Sequence, residues 1–197
     1  MSVNTAPESS EHIPTRNCDN CDNSLISTEK GIFCRPCFTL RKQDICELVT
    51  STGIIIFTAE NIHQLKPTLI QTEINVRLDL HGVLDTTDNT VIFDHPDRMC
   101  CISFVGSTTR TRISARKDIM SRLGHQISYG ILVFSRGGNS YHKVGGKAWI
   151  NKLIPSSSQK KAIFIDDSID HYESTKRLNI HNLDCHLYNK QHHNLYK

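Results

Sequence analysis

With 197 residues the chain has room for one medium domain and a small module. Its formal net charge of +3, from 23 Lys and Arg against 20 Asp and Glu, is too small to demand a nucleic-acid partner and fits a mixed solvated surface. No apolar run approaches the length of a membrane span, and the first residues lack a charged-then-apolar signal pattern, so the expectation is an intracellular protein of cytoplasm or nucleus, not secreted and with no membrane partner.

Residues 1–16 are rich in Ser, Glu, Pro and Thr and read as a disordered leader. Residues 17–40 carry two cysteine pairs, Cys18-x2-Cys21 and Cys34-x2-Cys37, with twelve residues between them. Each pair places two thiolates on one side of a tight turn, and two such knuckles close a tetrahedral site suited to Zn²⁺. The segment Thr28–Phe33 fits a small hairpin between the knuckles, so the module resembles a zinc ribbon. So short a stretch has almost no core, and the metal would supply its folding energy. Two disulfides or an iron–thiolate site are the competing readings. A closed four-cysteine site has no open coordination position, so its expected role is a platform for protein or nucleic acid. Cys46, Cys100, Cys101 and Cys185 sit in or near apolar stretches and read as reduced core residues.

Residues 41–73 form a connecting segment with room for an extra strand and helix. A short helix is expected over 41–49, a strand over Gly53–Thr58, and a short helix over 60–71 interrupted at Pro67. From residue 74 to about 190 strands and helices alternate. The expected strands are Ile74–Leu80, Thr90–Phe93, Met99–Val105, Ile127–Ser135, Lys161–Ile165 and Leu183–Tyr188. The expected helices are 109–123, with Ile113, Met120 and Leu123 on its apolar face, then Lys147–Ile154 and Ser168–Leu178. The run Arg110 to Lys117 reads as a solvated helix face. This alternation predicts a three-layer α/β/α domain with a parallel central sheet.

Two apolar runs deliver carboxylates at their C-terminal ends. One is Asn75-Val-Arg-Leu-Asp-Leu-His-Gly-Val-Leu-Asp85 and the other Ala162-Ile-Phe-Ile-Asp-Asp167. In open α/β sheets that edge is where ligands bind, so Asp79, Asp166 and Asp167 are candidates to converge on one hard cation and one phosphate. Asp166-Asp167-Ser168 also suits a plain helix cap.

These residues resemble the motifs of the haloacid dehalogenase-like superfamily of phosphohydrolases, over more than half of the chain. The first motif is Asp79-Leu80-His81-Gly82-Val83-Leu84-Asp85. The second is Ser107, after Ile102–Gly106. The third is a lysine before the fourth strand, for which Lys147 fits better than Lys143. The fourth is Asp166 with Asp167. The resemblance implies a Mg²⁺-dependent phosphatase. Asp79 would be its nucleophile, forming an aspartyl-phosphate. Mg²⁺ would be held by Asp79, the backbone carbonyl of His81, Asp166 and Asp167. Lys147 would neutralise charge, and Ser107 would donate a hydrogen bond to a phosphoryl oxygen. Backbone N–H groups around Leu80 to Gly82 would cradle the transferred group. The chain departs from the pattern at His81, where the family has its acid/base aspartate. Imidazole suits the same proton work near neutral pH, or its presence marks a slow or inactive enzyme.

Only 27 residues separate Asp79 from Ser107 and 39 separate Ser107 from Lys147, too few for a large cap domain. A capless or minimally capped site suits a macromolecular substrate, a phosphoprotein or a nucleic-acid end, with the glycine-rich segment 137–146 lining the entrance. Two rival readings are a catalytically weak domain that binds partners through its zinc ribbon, and a 3′-phosphatase of nucleic-acid ends whose basic rim is Arg110, Arg112, Arg116 and Lys117.

Overall fold

The computed structural model describes residues 26–28, 31–33, 40, 42–69, 74–86, 98–106, 109–135, 140–155 and 159–189. Two short strands, β1 (Ile26–Thr28) and β2 (Gly31–Phe33), pair antiparallel with Thr28 opposite Gly31. Cys18, Cys21, Cys34 and Cys37 lie outside the described residues, as do Ser107 and the expected strand Thr90–Phe93.

The remaining strands form a single seven-stranded sheet. In chain order they are β3 (Ile45–Thr50), β4 (Gly53–Phe57), β5 (Val76–Asp79), β6 (Met99–Gly106), β7 (Tyr129–Ser135), β8 (Ala162–Asp166) and β9 (Leu183–Leu187). Their order across the sheet is β4-β3-β7-β6-β5-β8-β9. The five strands from β7 to β9 are parallel, and β3 and β4 add an antiparallel hairpin beside β7. The helices are α1 (Leu65–Leu69), α2 (Thr109–Met120), α3 (Ser140–Leu153) and α4 (Ile169–Arg177). This is an α/β fold. No helix among the described residues is long and apolar enough to cross a membrane.

Alternation along the strands sends side chains to two cores. On one face Cys100, Ile102 and Phe104 of β6 and Tyr129, Ile131 and Val133 of β7 pack with Leu65 and Leu69 of α1 and Ile150 of α3. On the other, Met99, Cys101, Leu132 and Phe134 pack with Ala115 and Ile119 of α2. All seven residues of β7 are buried, as a central strand covered on both faces requires. Cys46, Cys100, Cys101 and Cys185 are free thiols, and burial pushes the first two up to about 12 and Cys185 to about 11.

Three expectations are corrected. Residues 45–49 are strand, not helix. Cys46 and Leu48 face one core and Val49 the other, a period of two. Second, the apolar face of α2 is not the one expected, since Ile113 and Met120 are 58% and 57% exposed while Ala115 and Ile119 are buried. The stripe that faces the sheet includes Arg112 and Arg116, because β3 delivers a fully buried carboxylate, Glu47, that both guanidinium groups reach. These arginines are not a solvated face. Arg112 also lies over the Phe134 ring, 5.1 Å from its centroid. Third, Gly145, Gly146 and Lys147 do not form a loop and helix start but lie inside α3. Gly146 is required there by close approach, since a Cβ would come 2.0 Å from the Phe104 ring.

A buried cation anchors the C-terminal end of α3. Arg77, on β5, is fully buried and donates to the carbonyls of Asn151 at 2.8 Å and of Ile154 and Pro155 at 3.3 Å. A cation is favoured at a helix C-terminus, where carbonyls are otherwise unpartnered.

Candidate functional site at the strand switch point

Numbered by order within the parallel part, the strands run 3-2-1-4-5, the doubly wound arrangement in which the chain leaves β5 to one side and returns to its other side at β8. The crevice beyond the C-terminal ends of β5 and β8 is therefore the switch point. Leu78 pairs with Ile165, so the next residues, Asp79 and Asp166, stand side by side at that crevice. Both carboxylates are buried, at 5% and 0% exposure.

Lys147 reaches them from α3. Only 3% of the residue is exposed. Its Nζ lies 2.6 Å from Asp79 Oδ2 and donates to Asp166 Oδ2 at 2.8 Å. The other oxygen of each carboxylate accepts a backbone N–H. Leu80 donates to Asp79 Oδ1 at 2.8 Å and Ser168 to Asp166 Oδ1 at 2.9 Å. The latter bond ties Asp166 to the start of α4, so Asp166 serves the local turn as well as the cluster.

His171 is the fourth member, and sequence reasoning missed it. It sits in the first turn of α4, where the Cα–Cβ bond tilts toward the helix N-terminus and hence back over the end of β8. Its Nδ1 is 3.0 Å from Lys147 Nζ and 3.1 and 3.2 Å from the two Asp166 oxygens. The available signal was a histidine in the first turn of a helix directly after an acidic strand end.

The electrostatics set the protonation states. Burial pushes Asp79 up to about 6; the Lys147 charge works against this and Asp166 adds repulsion. Burial acts on Asp166 too, but the His171 ring and the Lys147 ammonium beside it outweigh it and hold that carboxyl below the usual range. Lys147 is held above its usual value, because the two carboxylates outweigh its desolvation. The cluster thus carries a fixed ammonium, a firmly ionised Asp166 and, in Asp79, the carboxylate that takes up a proton first.

The other candidates lie at the rim. His81 follows on the turn after β5, its side chain 54% exposed and its Nδ1 3.7 Å from Asp85 Oδ2. The same Asp85 accepts the Gly82 N–H through Oδ1 at 2.7 Å. Gly82 has φ +88, and a Cβ on it would lie 2.0 Å from Asp167 Oδ2, so the exposed Asp167 carboxylate rests directly on this turn. The Leu80 and Gly82 N–H groups, expected to cradle a ligand, are held by Asp79 and Asp85.

One ligand atom each from Asp79, Asp166 and His171 lie within 4.8 Å of one another, a group able to hold a metal ion. Lys147 Nζ is in contact with an atom of each of these three residues. The carboxylate oxygens it does not use, Asp79 Oδ1 and Asp166 Oδ1, each accept a backbone N–H, and Asp166 Oδ1 also lies 3.1 Å from His171 Nδ1. No family model, curated protein or solved structure matches the chain.

Proposed function

We propose that the chain is a Mg²⁺-dependent phosphomonoesterase of the haloacid dehalogenase-like type with Asp79 as nucleophile. The observation that carries the reading is the convergence of Asp79, Asp166 and Lys147 at the switch point, two carboxylates and an ammonium drawn from three separate segments. Buried carboxylates held against a lysine at a ligand-binding edge are a poor stability device, since desolvation offsets much of the attraction, but a good nucleophile site.

In this reading Asp79 attacks phosphorus. An Asp79–phosphorus bond forms as the ester P–O bond breaks, and water then releases phosphate and restores the carboxylate. Lys147 offsets the repulsion between the nucleophile and the anionic phosphoryl group. Asp79, Asp166 and the His81 carbonyl, with Asp167 beside them, would hold Mg²⁺, which would supply charge neutralisation at the phosphoryl group. The resemblance gives leaving-group protonation to His81, which stands on the turn directly after the nucleophile. Ser107 is the proposed donor to a phosphoryl oxygen. A capless or minimally capped site, as the short gaps between the motifs imply, suits a macromolecular phosphomonoester, and the four-cysteine module with Zn²⁺ would tether such a partner.

A second reading, a catalytically weak domain that works as a binding module, is favoured by one observation. His81 replaces the acid/base carboxylate and is half-exposed beside Asp85. The nucleic-acid 3′-phosphatase variant is weakened, because Arg112 and Arg116 are engaged by Glu47.

Hydrolysis of an aryl phosphate with and without Mg²⁺, by the intact chain and by Asp79→Asn, tests the proposal. Mg²⁺-dependent turnover that vanishes in the variant supports it. Turnover that survives in Asp79→Asn removes Asp79 from the role. No turnover by the intact chain on aryl phosphate or on phosphopeptides moves the weight to the binding module.

A further inference from the structure

We infer that His171 is a positioning residue whose Nδ1 accepts the third hydrogen bond of the Lys147 ammonium and so fixes that cation between Asp79 and Asp166. Its consequence for turnover rests on the phosphatase reading; the contact itself does not.

An ammonium has three N–H donors and no acceptor. Around Lys147 Nζ stand Asp79 Oδ2 at 2.6 Å, Asp166 Oδ2 at 2.8 Å and His171 Nδ1 at 3.0 Å. The lysine side chain is 4% exposed, so solvent has little access to serve as the third partner. Leaving one N–H of a buried cation unmade is costly. The contact is therefore a hydrogen bond only if Nδ1 carries the lone pair and the ring proton is on Nε2. With the proton on Nδ1, the ring would donate to Asp166 and present an N–H to the ammonium at 3.0 Å, leaving Lys147 with two acceptors. In the Nε2–H tautomer the 3.1 and 3.2 Å separations from Asp166 are acceptors gathered about one shared cation.

The arrangement answers a mechanical problem. Lysine is a point charge on a flexible four-carbon stem, and two carboxylates alone define a line about which the ammonium can pivot. A third acceptor on another element closes a triangle. α3 brings the lysine, β5 and β8 bring the carboxylates, and α4 brings the imidazole. The three acceptors are the same three residues that could hold a metal ion, so Lys147 takes that position.

The test uses the full ¹⁵N-labelled chain at mildly alkaline pH. Long-range ¹H–¹⁵N correlations report which ring nitrogen of His171 bears the proton, and the ammonium resonance of Lys147 reports its protection from exchange. His171→Leu removes the acceptor, and His171→Asn supplies an amide oxygen in its place. The expected result is an Nε2–H tautomer with a slowly exchanging Lys147 resonance that persists in His171→Asn and is lost in His171→Leu. On aryl phosphate, His171→Leu is expected to lose roughly ten- to a hundredfold in kcat with KM little changed, and His171→Asn to recover most of it. A proton on Nδ1 in the wild-type chain overturns the inference, as does a Lys147 resonance that stays protected in His171→Leu. If His171→Leu does not fold, the wild-type tautomer decides alone. An Nε2–H tautomer in a chain without turnover counts against the phosphatase reading and leaves the positioning role standing.

Discussion

The Lys147 ammonium lies 2.6 Å from the Asp79 carboxylate, in a site where both groups are almost wholly buried. With Asp166 on the ammonium's other side, the charges number two negative to one positive before any divalent cation binds. That imbalance makes the lysine the keystone of the apo cluster. Lys147→Met leaves two adjacent buried carboxylates without their cation and is expected to destabilise the chain by about 3–5 kcal/mol. Combining it with Asp79→Asn removes part of the repulsion, so the double variant should be more stable than the sum of the single changes. Urea unfolding of the four proteins measures both effects, and strict additivity would contradict the geometry.

The raised pKa of Asp79 gives a pH dependence of definite sign. Its carboxyl moves from 3.8 to about 6 on folding, so the folded chain binds the proton more tightly than the unfolded one. The stability this group contributes is full below its unfolded value and is lost as pH rises through about 6. In metal-free protein, the stability of Asp79→Asn relative to wild type should therefore increase across that window. Mg²⁺ competes with the proton, so its affinity should rise over the same interval. Unfolding midpoints and Mg²⁺ titration calorimetry at a series of pH values check the two halves, and parallel pH profiles for wild type and variant would refute the first.

Much of this architecture is readable in the chain itself. Strands β5 to β9 are apolar runs bounded by turn residues, and the acidic residues at the ends of β5 and β8 mark the crevice before any coordinates are known. What was not readable depends on partners distant in sequence. Nothing near residues 41–49 announces that Glu47 has two arginines from α2 as its counter-ions, and without them a buried glutamate argues against a central strand. The same pairing explains why Ile113 and Met120 are outside. Gly145-Gly146 looks like a loop until the Phe104 ring is seen to need the space. His171 escaped notice because its role comes from the tilt of one helical side chain toward a strand end and not from any spacing motif.

Glu47 offers a second pH test with the opposite sign. It is buried, and hydrogen bonds from Arg116 and Arg112 outweigh the desolvation and hold its carboxyl below the usual 4.5. A depressed folded value contributes stability that is present above the unfolded pKa and is lost as pH falls through the folded one. Glu47→Gln should therefore cost stability at neutral pH and show a shallower loss on acidification below about 4.5. The arginine side chains are 30% and 29% exposed and can turn to water, so the expected cost is roughly 1–3 kcal/mol, less than for a fully buried pair. Chemical denaturation at neutral and acidic pH measures it.

For the cysteine module the expectation is stoichiometric. Cys18, Cys21, Cys34 and Cys37 predict one tightly held zinc per chain, lost in Cys18→Ser. A strong chelator should unfold the module while the seven-stranded sheet, built from strands between Ile45 and Leu187, keeps its cooperative unfolding. Elemental analysis together with thermal unfolding tests this. A chain that carries iron, or two disulfides, would remove zinc from the assignment.

Gly146 tests how the position of α3 bears on the site. In an exposed helix, glycine to alanine gains up to about 1 kcal/mol from helix propensity. Here the added methyl would fall 2.0 Å from the Phe104 ring of β6, and that ring lies in the core between α3 and the sheet. Overpacking of this kind costs typically about 1–3 kcal/mol, so Gly146→Ala should be net destabilising despite the propensity gain. Any relief by outward movement of α3 carries the adjacent Lys147 away from Asp79 and Asp166. The variant should therefore lose kcat beyond what its stability loss explains at temperatures well below its melting point. Phe104→Leu in the same background should recover part of both losses by opening the space. Recovery of neither would separate the helix position from the chemistry of the cluster.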